Sequence, residues 1–306
     1  MSLRAGTTVT MQVDREVSPY GFFLTDGRHE VLLPYPEAQS GIRQGQMVEV
    51  FLFHDTKDRL TATMKQPAIR LGETALLEVV DIHPRFGAFL DIGIGRNVLL
   101  PYREQPDMKE LRPQIGDWVY AVLGSDKQGR MLARLAGEAD LAPLTFPAPP
   151  SWKNRWFAAR VYNALQTGTF VMMEGGDQGL GVIGLIHQTE RTRLLRIGEK
   201  VDVRVTHVRE DGRVNLSMRP PKEVSRDVDA DWLLAFLQAR PNGAMPYSDA
   251  TPADIIQARF NMSKAAFKRA LGKLMKEGAV YQKENWTYLH EAFRNAPDSA
   301  DDGAES

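Results

Sequence analysis

The sequence Phe86-Gly87-Ala88-Phe89-Leu90-Asp91 is the second of three copies of one short pattern in this chain. The other two copies are Tyr20-Gly21-Phe22-Phe23-Leu24 and Gly168-Thr169-Phe170-Val171. Successive copies lie roughly 65 to 80 residues apart. Because apolar residues that alternate after a turn signal are typical of a strand, this recurrence predicts three copies of one small β domain.

Each copy continues through three further elements in the same order. The second element is an apolar run that begins at Val31, Val98 and Gly184. The third is Gly-x-x-Val followed by alternating apolar residues, and the fourth is an arginine-led strand. The third element begins at Gly45, Gly116 and Gly198, and the fourth begins at Arg59, Arg130 and Arg213. Four matched elements predict a small β barrel in each copy, and such a barrel with aromatic side chains on one face is a platform for single-stranded nucleic acid.

The composition is that of an ordinary globular protein, with 43% hydrophobic and 25% charged residues in 306. The chain has no cysteine, which fits a reducing cytoplasm. It contains no apolar run of about eighteen residues and no N-terminal basic-then-apolar signal, so we expect a cytoplasmic protein without a membrane span. A net charge of −1 excludes a polycation that coats nucleic acid, so binding of this kind would depend on local basic patches.

The spacing of the copies predicts the domain organisation. We expect barrels at 1–66, 67–136 and 152–220, a proline-rich linker at 137–151, a winged-helix domain at 231–292 and a disordered acidic tail at 293–306. Four prolines between Pro143 and Pro150 favour a stiff, extended spacer that joins no sheet. The polar stretch 222–230 is predicted to be a short linker, and the glycine cluster 175–179 a hairpin turn.

After residue 230 the apolar period changes from two to about 3.6, which predicts helices. A short helix is expected around residues 232–237. Thr251 is the predicted N-cap of a second helix, with Pro252 at its first position. Ser263 is predicted to cap a third helix, whose apolar stripe comprises Phe267, Ala270, Leu271 and Leu274. Two short strands then complete a winged helix: 279–281 and 286–289.

Aromatic residues beside the repeated glycine are the candidate base-stacking side chains. They are Phe23, Phe89 and Phe170 after the glycine, and Tyr20 and Phe86 before it. Stacking contributes about 1–3 kcal/mol per base, but a strand phenylalanine is more often a core residue, so both interpretations stay open. Phe22 and its neighbour must face opposite sides of their strand, and the sequence leaves open which is outside. Further candidates for phosphate or base contacts are His187, Arg59, Arg130, Arg213 and Arg219.

The third predicted helix carries the clearest basic patch. Residues 263–283 contain six bases and one acid. Because bases four residues apart lie on one side of a helix, we expect them to face away from the apolar stripe and to suit a phosphate backbone, although a solvated surface has the same composition. These candidates are Lys264, Lys268, Arg269, Lys273 and Lys276.

The third copy resembles a ribosomal S1-type RNA-binding domain of the OB-fold class, through Gly168-x-Phe170, the run ending at His187 and the run ending at Arg219. The whole order resembles the CvfB family, which includes YitL-like proteins. The residues that carry this resemblance lie at 18–24, 49–55 and 87–91, and in the Met262-Ser263-Lys264-x-x-Phe267-Lys268-Arg269-Ala270-Leu271-Gly272-x-Leu274 motif. The resemblance covers residues 5 to 290.

Membership would imply three S1-type OB-fold barrels followed by a winged-helix α+β domain. It would also imply a non-catalytic RNA-binding regulator of gene expression. Separately, we expect no cofactor and no metal. The sequence departs from the S1-type pattern in two ways. The first two copies have Pro34 and Pro101 where the third has His187, and the third copy has Thr167 where the first two have an aromatic residue before the glycine.

Single-stranded RNA is the expected partner, and DNA is the second candidate. One alternative is a winged-helix DNA-binding regulator whose barrels dock proteins. A nuclease is the less favoured alternative, since the six histidines show no metal-ligand spacing and no nucleophile lies beside a base.

Overall fold

The computed structural model describes residues 3–174, 181–240 and 242–294. The chain divides into two compact units, Met1–Arg219 and Pro220–Ser306. The predicted hairpin turn at 175–179 and most of the predicted acidic tail lie outside the described residues. None of the helices in the described ranges is long and apolar enough to cross a membrane.

The described part of the first unit contains three closed five-stranded barrels. Barrel 1 comprises β1 Thr8–Val17, β2 Gly21–Thr25, β3 Glu30–Pro34, β4 Met47–His54 and β5 Leu60–Thr63. Barrel 2 comprises β6 Thr74–His83, β7 Gly87–Asp91, β8 Asn97–Pro101, β9 Trp118–Ser125 and β10 Met131–Leu135. Barrel 3 comprises β11 Trp156–Ala164, β12 Gly168–Glu174, β13 Gly181–His187, β14 Lys200–Val208 and β15 Val214–Ser217. All three close in the order first, second, third, fifth, fourth strand, which confirms the predicted OB-type repeat.

Alternation along the second and third strands decides which side chains enter each barrel. In barrel 1, Leu24 and Leu33 are fully buried, and Phe22 packs beside them on the same face. Phe23 therefore faces outward, opposite Leu32 on the neighbouring strand. This settles the choice between adjacent phenylalanines that the sequence left open. The first strand of every barrel also carries a bulge at the same place, after Val13, Val79 and Val161.

Barrels 2 and 3 share one apolar core and are not independent domains. Their buried residues form a single cluster, which Phe51 and Phe53 of barrel 1 also join. An ion pair adds to the contact, because Arg196 donates from Nε to Asp117 Oδ2 at 2.7 Å and from Nη2 to Oδ1 at 2.9 Å. The backbone N–H of Ile197 also donates to Leu111 O at 2.9 Å.

The segment between barrels 2 and 3 is not the extended spacer that its prolines predicted. It contains α1 (Glu138–Leu141) and two 3-10 turns, and Leu141 is fully buried. Residues between the prolines keep their N–H groups and use them on barrel 3: Phe146 donates to Gly181 O at 3.0 Å, and Ala148 donates to Gly212 O at 2.9 Å. The prediction failed because proline removes only its own donor.

The second unit is a winged helix. It comprises α2 Lys222–Gln238, β16 Ala244–Met245, α3 Ala253–Phe260, α4 Lys264–Lys276, β17 Val280–Lys283 and β18 Trp286–Leu289. The stripe on α4 is buried as predicted, and Ser263 Oγ accepts from Ala266 N at 3.2 Å as its cap. The three strands form one sheet in the order β16-β18-β17.

Three local predictions for this unit were wrong. The stretch 222–230 belongs to α2 and is not a linker, since α2 begins directly after Pro221. Pro252, not Thr251, is the N-cap of α3, because Thr251 Oγ1 instead accepts from Ser248 N at 2.9 Å. The strand predicted at 279–281 begins one residue later and continues to Lys283.

Candidate nucleic-acid interface

Barrel 3 carries a row of four outward side chains across neighbouring strands, which we call the outer row. Phe170 on β12 lies opposite Asn163 on β11 and opposite Leu185 on β13, and Leu185 in turn pairs with Asn215 on β15. Both asparagines are exposed. The row therefore places one aromatic ring and one leucine between two amides, each of which has donors and an acceptor.

Phe170 is half-buried, because one side of its ring is covered by neighbouring apolar residues. Its ring centroid lies 6.2 Å from that of Tyr162, and it packs against an apolar cluster that includes Leu141 and Leu144 of the connecting segment. Burial raises the pKa of Tyr162 to about 12, so its phenol stays neutral. The ring is thus held in place from one side.

His187 and Arg219 lie together at one end of the outer row. His187 lies two residues beyond Leu185 on the same face of β13, and its Nδ1 is 2.9 Å from Thr189 Oγ1. Arg219 donates from Nε to Thr189 O at 3.2 Å and from Nη2 to Arg191 O at 3.3 Å. Both side chains are exposed, so an imidazole and a guanidinium flank the same turn.

In barrel 1 the equivalent ring is covered by a cation. The guanidinium carbon of Arg15 lies 4.6 Å from the centroid of Phe23. Hydrogen bonds to Glu30 and then Asp14 raise the pKa of Arg15, and both acids balance its charge. Tyr20, before the glycine, is 64% exposed and remains an open aromatic side chain on this barrel.

In barrel 2 the equivalent row is acidic and apolar. Phe89 lies opposite Asp81, which is exposed, and opposite Leu99, which pairs with Leu132. A carboxylate at this position repels phosphate. Phe86 is 54% exposed, and its ring stacks on His83 with centroids 4.4 Å apart and planes 20° apart.

Three of the predicted arginines form ion pairs with carboxylates of this chain. Arg59 and Arg130 form ion pairs with Asp55 and Asp126 across tight turns, at 2.7 and 2.8 Å. Burial opposes ionisation of Asp55, but hydrogen bonds from the backbone and side chain of Arg59 lower its pKa to about 2. Arg213 pairs with Glu138 of α1 at 2.5 Å. Each cation therefore faces a carboxylate before any phosphate arrives.

The predicted basic residues on α4 divide into two sets. Lys268, Arg269 and Lys276 are exposed, whereas Lys264 is half-buried. Lys273 was predicted to face away from the core, yet it lies beside α2, 3.0 Å from Asp227 and 3.7 Å from Glu277. The hydrogen bond to Asp227 raises the pKa of Lys273. The exposed charge of α4 thus comes from three residues rather than five, and one of them, Lys268, lies 3.9 Å from Asp249 Oδ2.

The sequence reasoning missed two groups of residues on these surfaces. Asn163 and Asn215 left no local signal, because their places in the outer row depend on how β11 and β15 pair with other strands. The wing formed by β17 and β18 carries outward aromatic side chains, Tyr281, Trp286 and Tyr288. Trp286 and Tyr288 alternate with buried residues, and that alternation was the available signal.

Comparison with known proteins agrees with this architecture. The S1 domain family matches residues 5–65, and the first S1-like domain of CvfB matches 75–134. The second domain of the virulence regulatory factor CvfB matches 142–220, and the CvfB-like winged helix domain matches 231–289. Three S1-like barrels and a winged helix define a multidomain protein of a class typical of nucleic-acid-binding proteins that are not enzymes.

Relatives narrow the class to one family. The chain is 41% identical to the Bacillus subtilis protein YitL over 287 residues, 94% of each chain. It is 32% identical to conserved virulence factor B of Staphylococcus epidermidis over 237 residues, 77% of each. The chain belongs to the CvfB family, as its motifs suggested. A solved Streptococcus pneumoniae structure, described as a multidomain protein with nucleic acid binding domains, superposes with a TM-score of 0.61 at 29% identity, covering 94% of this chain and 98% of that one.

Proposed function

We propose that the chain is a cytoplasmic, non-catalytic RNA-binding protein that regulates gene expression after transcription. In this proposal it holds single-stranded RNA on the outer row of barrel 3 and on the exposed bases of α4. The outer row is the observation that carries the proposal, because it combines a ring with two exposed amides beside His187 and Arg219.

The chemistry of the outer row suits an unpaired base. A base can stack on the exposed part of Phe170, while Asn163 and Asn215 offer donors and acceptors to its edge. His187 and Arg219 lie at the end of the row, where a phosphate or a 2′-hydroxyl of the same strand would pass. The rings of barrels 1 and 2 have less suitable neighbours, so we assign them a weaker or structural role.

The exposed bases of α4 supply a second contact of a different kind. Lys268, Arg269 and Lys276 can neutralise phosphates without reading sequence. Gly272 lies between Arg269 and Lys276 on the helix, and an added Cβ there would meet nothing within 4 Å. A strand can therefore approach the helix backbone closely. Since both units belong to one chain, weak contacts to one RNA add through effective concentration.

Fluorescence anisotropy tests the proposal with the full chain and matched single-stranded RNA, single-stranded DNA and duplex DNA. We expect RNA to bind most tightly and affinity to fall steeply with salt. Phe170→Leu, which keeps apolar packing but removes the ring, should weaken RNA binding about fivefold or more. Lys268→Glu combined with Arg269→Glu should lower both the affinity and the salt slope.

Lys127→Glu is the matched control, because Lys127 is an exposed base in a turn of barrel 2. Preference for duplex DNA, with only the α4 variant affected, would instead favour the winged-helix DNA-binding alternative. Failure to bind any of the three nucleic acids would contradict the proposal.

A further inference from the structure

The wing of the second unit carries three aromatic side chains in one line, which we call the wing row: Trp286, Tyr288 and Tyr281. The ring centroids of Tyr281 and Tyr288 lie 5.3 Å apart with planes 17° apart. Those of Trp286 and Tyr288 lie 6.3 Å apart with planes 26° apart. The rings are therefore nearly parallel along the row, and His290 adjoins Tyr281 at 4.8 Å.

The register of the hairpin puts this row on the outer face of the sheet. Tyr281 lies opposite Tyr288, and Lys283 lies opposite Trp286. The alternate residues, Val280, Thr287 and Leu289, are buried against the core of the unit. The core is thus complete without the wing row, and burial does not explain its aromatic composition.

The two ends of the wing row remain open to solvent. Tyr281 and Trp286 are each 41% exposed, although both are large amphipathic rings. Exposed tyrosine and tryptophan in one contiguous row mark a surface that meets another molecule. A row of nearly parallel rings matches a run of stacked bases, because each added base continues the same arrangement.

Charges around the wing indicate what kind of molecule fits. Lys283 is exposed across from Trp286, where it can meet a phosphate beside a stacked base. Lys268 of α4 lies 3.9 Å from Asp249. In the amide orientation that satisfies both of its atoms, Gln282 of β17 donates to Asp249 Oδ1 at 3.1 Å. Asp249 thus links Lys268 to Gln282 on the face of the hairpin opposite the wing row, because Gln282 pairs with the buried Thr287. The charge beside the wing row is that of Lys283.

We propose that the wing row stacks one or two unpaired bases of single-stranded RNA, with Lys283 at the adjoining phosphate. The proposal deepens and rests on the proposed function, because it adds a base-stacking site to a unit whose other contacts are electrostatic. The contribution of the rings comes from stacking and changes little with salt, unlike those of Lys283 and the exposed bases of α4.

The test uses the full chain and two ligands, a uridine oligoribonucleotide and the same oligonucleotide with abasic sites. Trp286→Ala should weaken binding of the intact oligonucleotide about tenfold, and Trp286→Phe should stay close to wild type. On the abasic ligand the difference between wild type and Trp286→Ala should disappear. The salt slope should be the same for both proteins, since no phosphate contact is removed.

Ile255→Ala is the control, because Ile255 is an exposed apolar residue on α3 of the same unit and lies outside the wing row. Circular dichroism checks that each variant is folded. If Trp286→Ala unfolds the wing, Trp286→Leu takes its place, and a folded Trp286→Leu that loses as much affinity for the abasic ligand as for the intact one would overturn the proposal.

Two other results would also overturn it: unchanged affinity in a folded Trp286→Ala, or an equal loss in Trp286→Phe. Each of these failures leaves the proposed function intact as long as the wild type binds RNA. Absence of RNA binding by the wild type would remove both proposals.

Discussion

Barrels 2 and 3 use the same strand order, the same first-strand bulge and one shared core, yet their outer surfaces differ in chemistry. Asp81 in barrel 2 stands where barrel 3 has Asn163, and Leu132 stands where it has Asn215. The buried half of the alternation maintains the fold, which leaves the other half free to vary. Duplicated barrels can therefore keep one architecture while the polar groups on their outer faces differ.

The first glycine of the second strand also differs in conformation between these two barrels. Gly87 has φ +139°, and a Cβ there would lie 2.1 Å from Leu100 O and 2.9 Å from Pro101 Cα. Gly21 of barrel 1 is placed in the same way, with φ +139° and a Cβ 2.2 Å from Leu33 O. A Cβ on Gly168 would come closest to Leu185 Cδ1, at 3.0 Å, the end of a flexible side chain. Barrels 1 and 2 thus require a glycine at this position, whereas barrel 3 lacks both the positive φ and the close backbone contact that impose it.

The largest expected effect follows from that glycine. Gly87→Ala should destabilise the first unit by about 3 kcal/mol or more, because the backbone carbonyl cannot move away and φ is strained. Gly168→Ala should cost about 1 kcal/mol or less. The measurement is the urea midpoint of the first unit, followed by hydrogen exchange of its peptides. Equal losses of unfolding free energy in the two variants would show that both glycines are under the same backbone constraint.

The next prediction exchanges the chemistry of the two outer rows. Asn163→Asp with Asn215→Asp should lower RNA affinity about tenfold at low salt, because carboxylates of nearly identical shape repel phosphate and cannot donate to a base. The reciprocal Asp81→Asn in barrel 2 should raise affinity by less than about threefold, since Leu99 and Leu132 add no polar group. Anisotropy titrations measure both effects, and thermal unfolding checks that the variants remain folded.

A gain from Asp81→Asn as large as the loss in barrel 3 would break the comparison. It would mean that both barrels bind RNA and that one carboxylate had masked the second site. No change in either set of variants would place RNA binding elsewhere on the chain.

The sequence predicted the fold well because the repeats carry its signal more than once. Apolar alternation around Gly21, Gly87 and Gly168 specifies strands, and the stripe on α4 specifies a helix, both from local spacing alone. The segment 137–151 was predicted wrongly, because the partners of its free N–H groups, Gly181 and Gly212, lie far along the sequence. Long-range pairing of this kind leaves no local pattern.

The surface chemistry was harder to predict for a similar reason. Lys273 looked like an exposed base until α2 brought Asp227 within 3.0 Å of it. Arg15 covers Phe23 only because the bulge after Val13 sets its register. The outer row needs the register of four strands, which the sequence does not contain in any single motif.

The smallest expected effect concerns the ion pairs where barrels 2 and 3 meet. Burial opposes ionisation of Glu199, yet hydrogen bonds from Arg193 and the backbone of Arg196 hold its pKa below the usual range. A carboxyl whose pKa is lower in the folded state stabilises that state above its unfolded pKa of about 4.3, and this stabilisation is lost as pH falls through the folded pKa.

Glu199→Gln should therefore cost roughly 1 kcal/mol near neutral pH, and this difference from wild type should shrink as pH falls below about 4. Urea midpoints of the first unit across a pH series measure it. Glu210→Gln, at an exposed glutamate in the turn between β14 and β15, is the isosteric control and should show no difference at any pH. A difference that grows on acidification would mean that Glu199 is strained by burial rather than stabilised by its arginines. In that case the electrostatic contribution at the junction would rest on the Arg196–Asp117 ion pair, beside the shared apolar core.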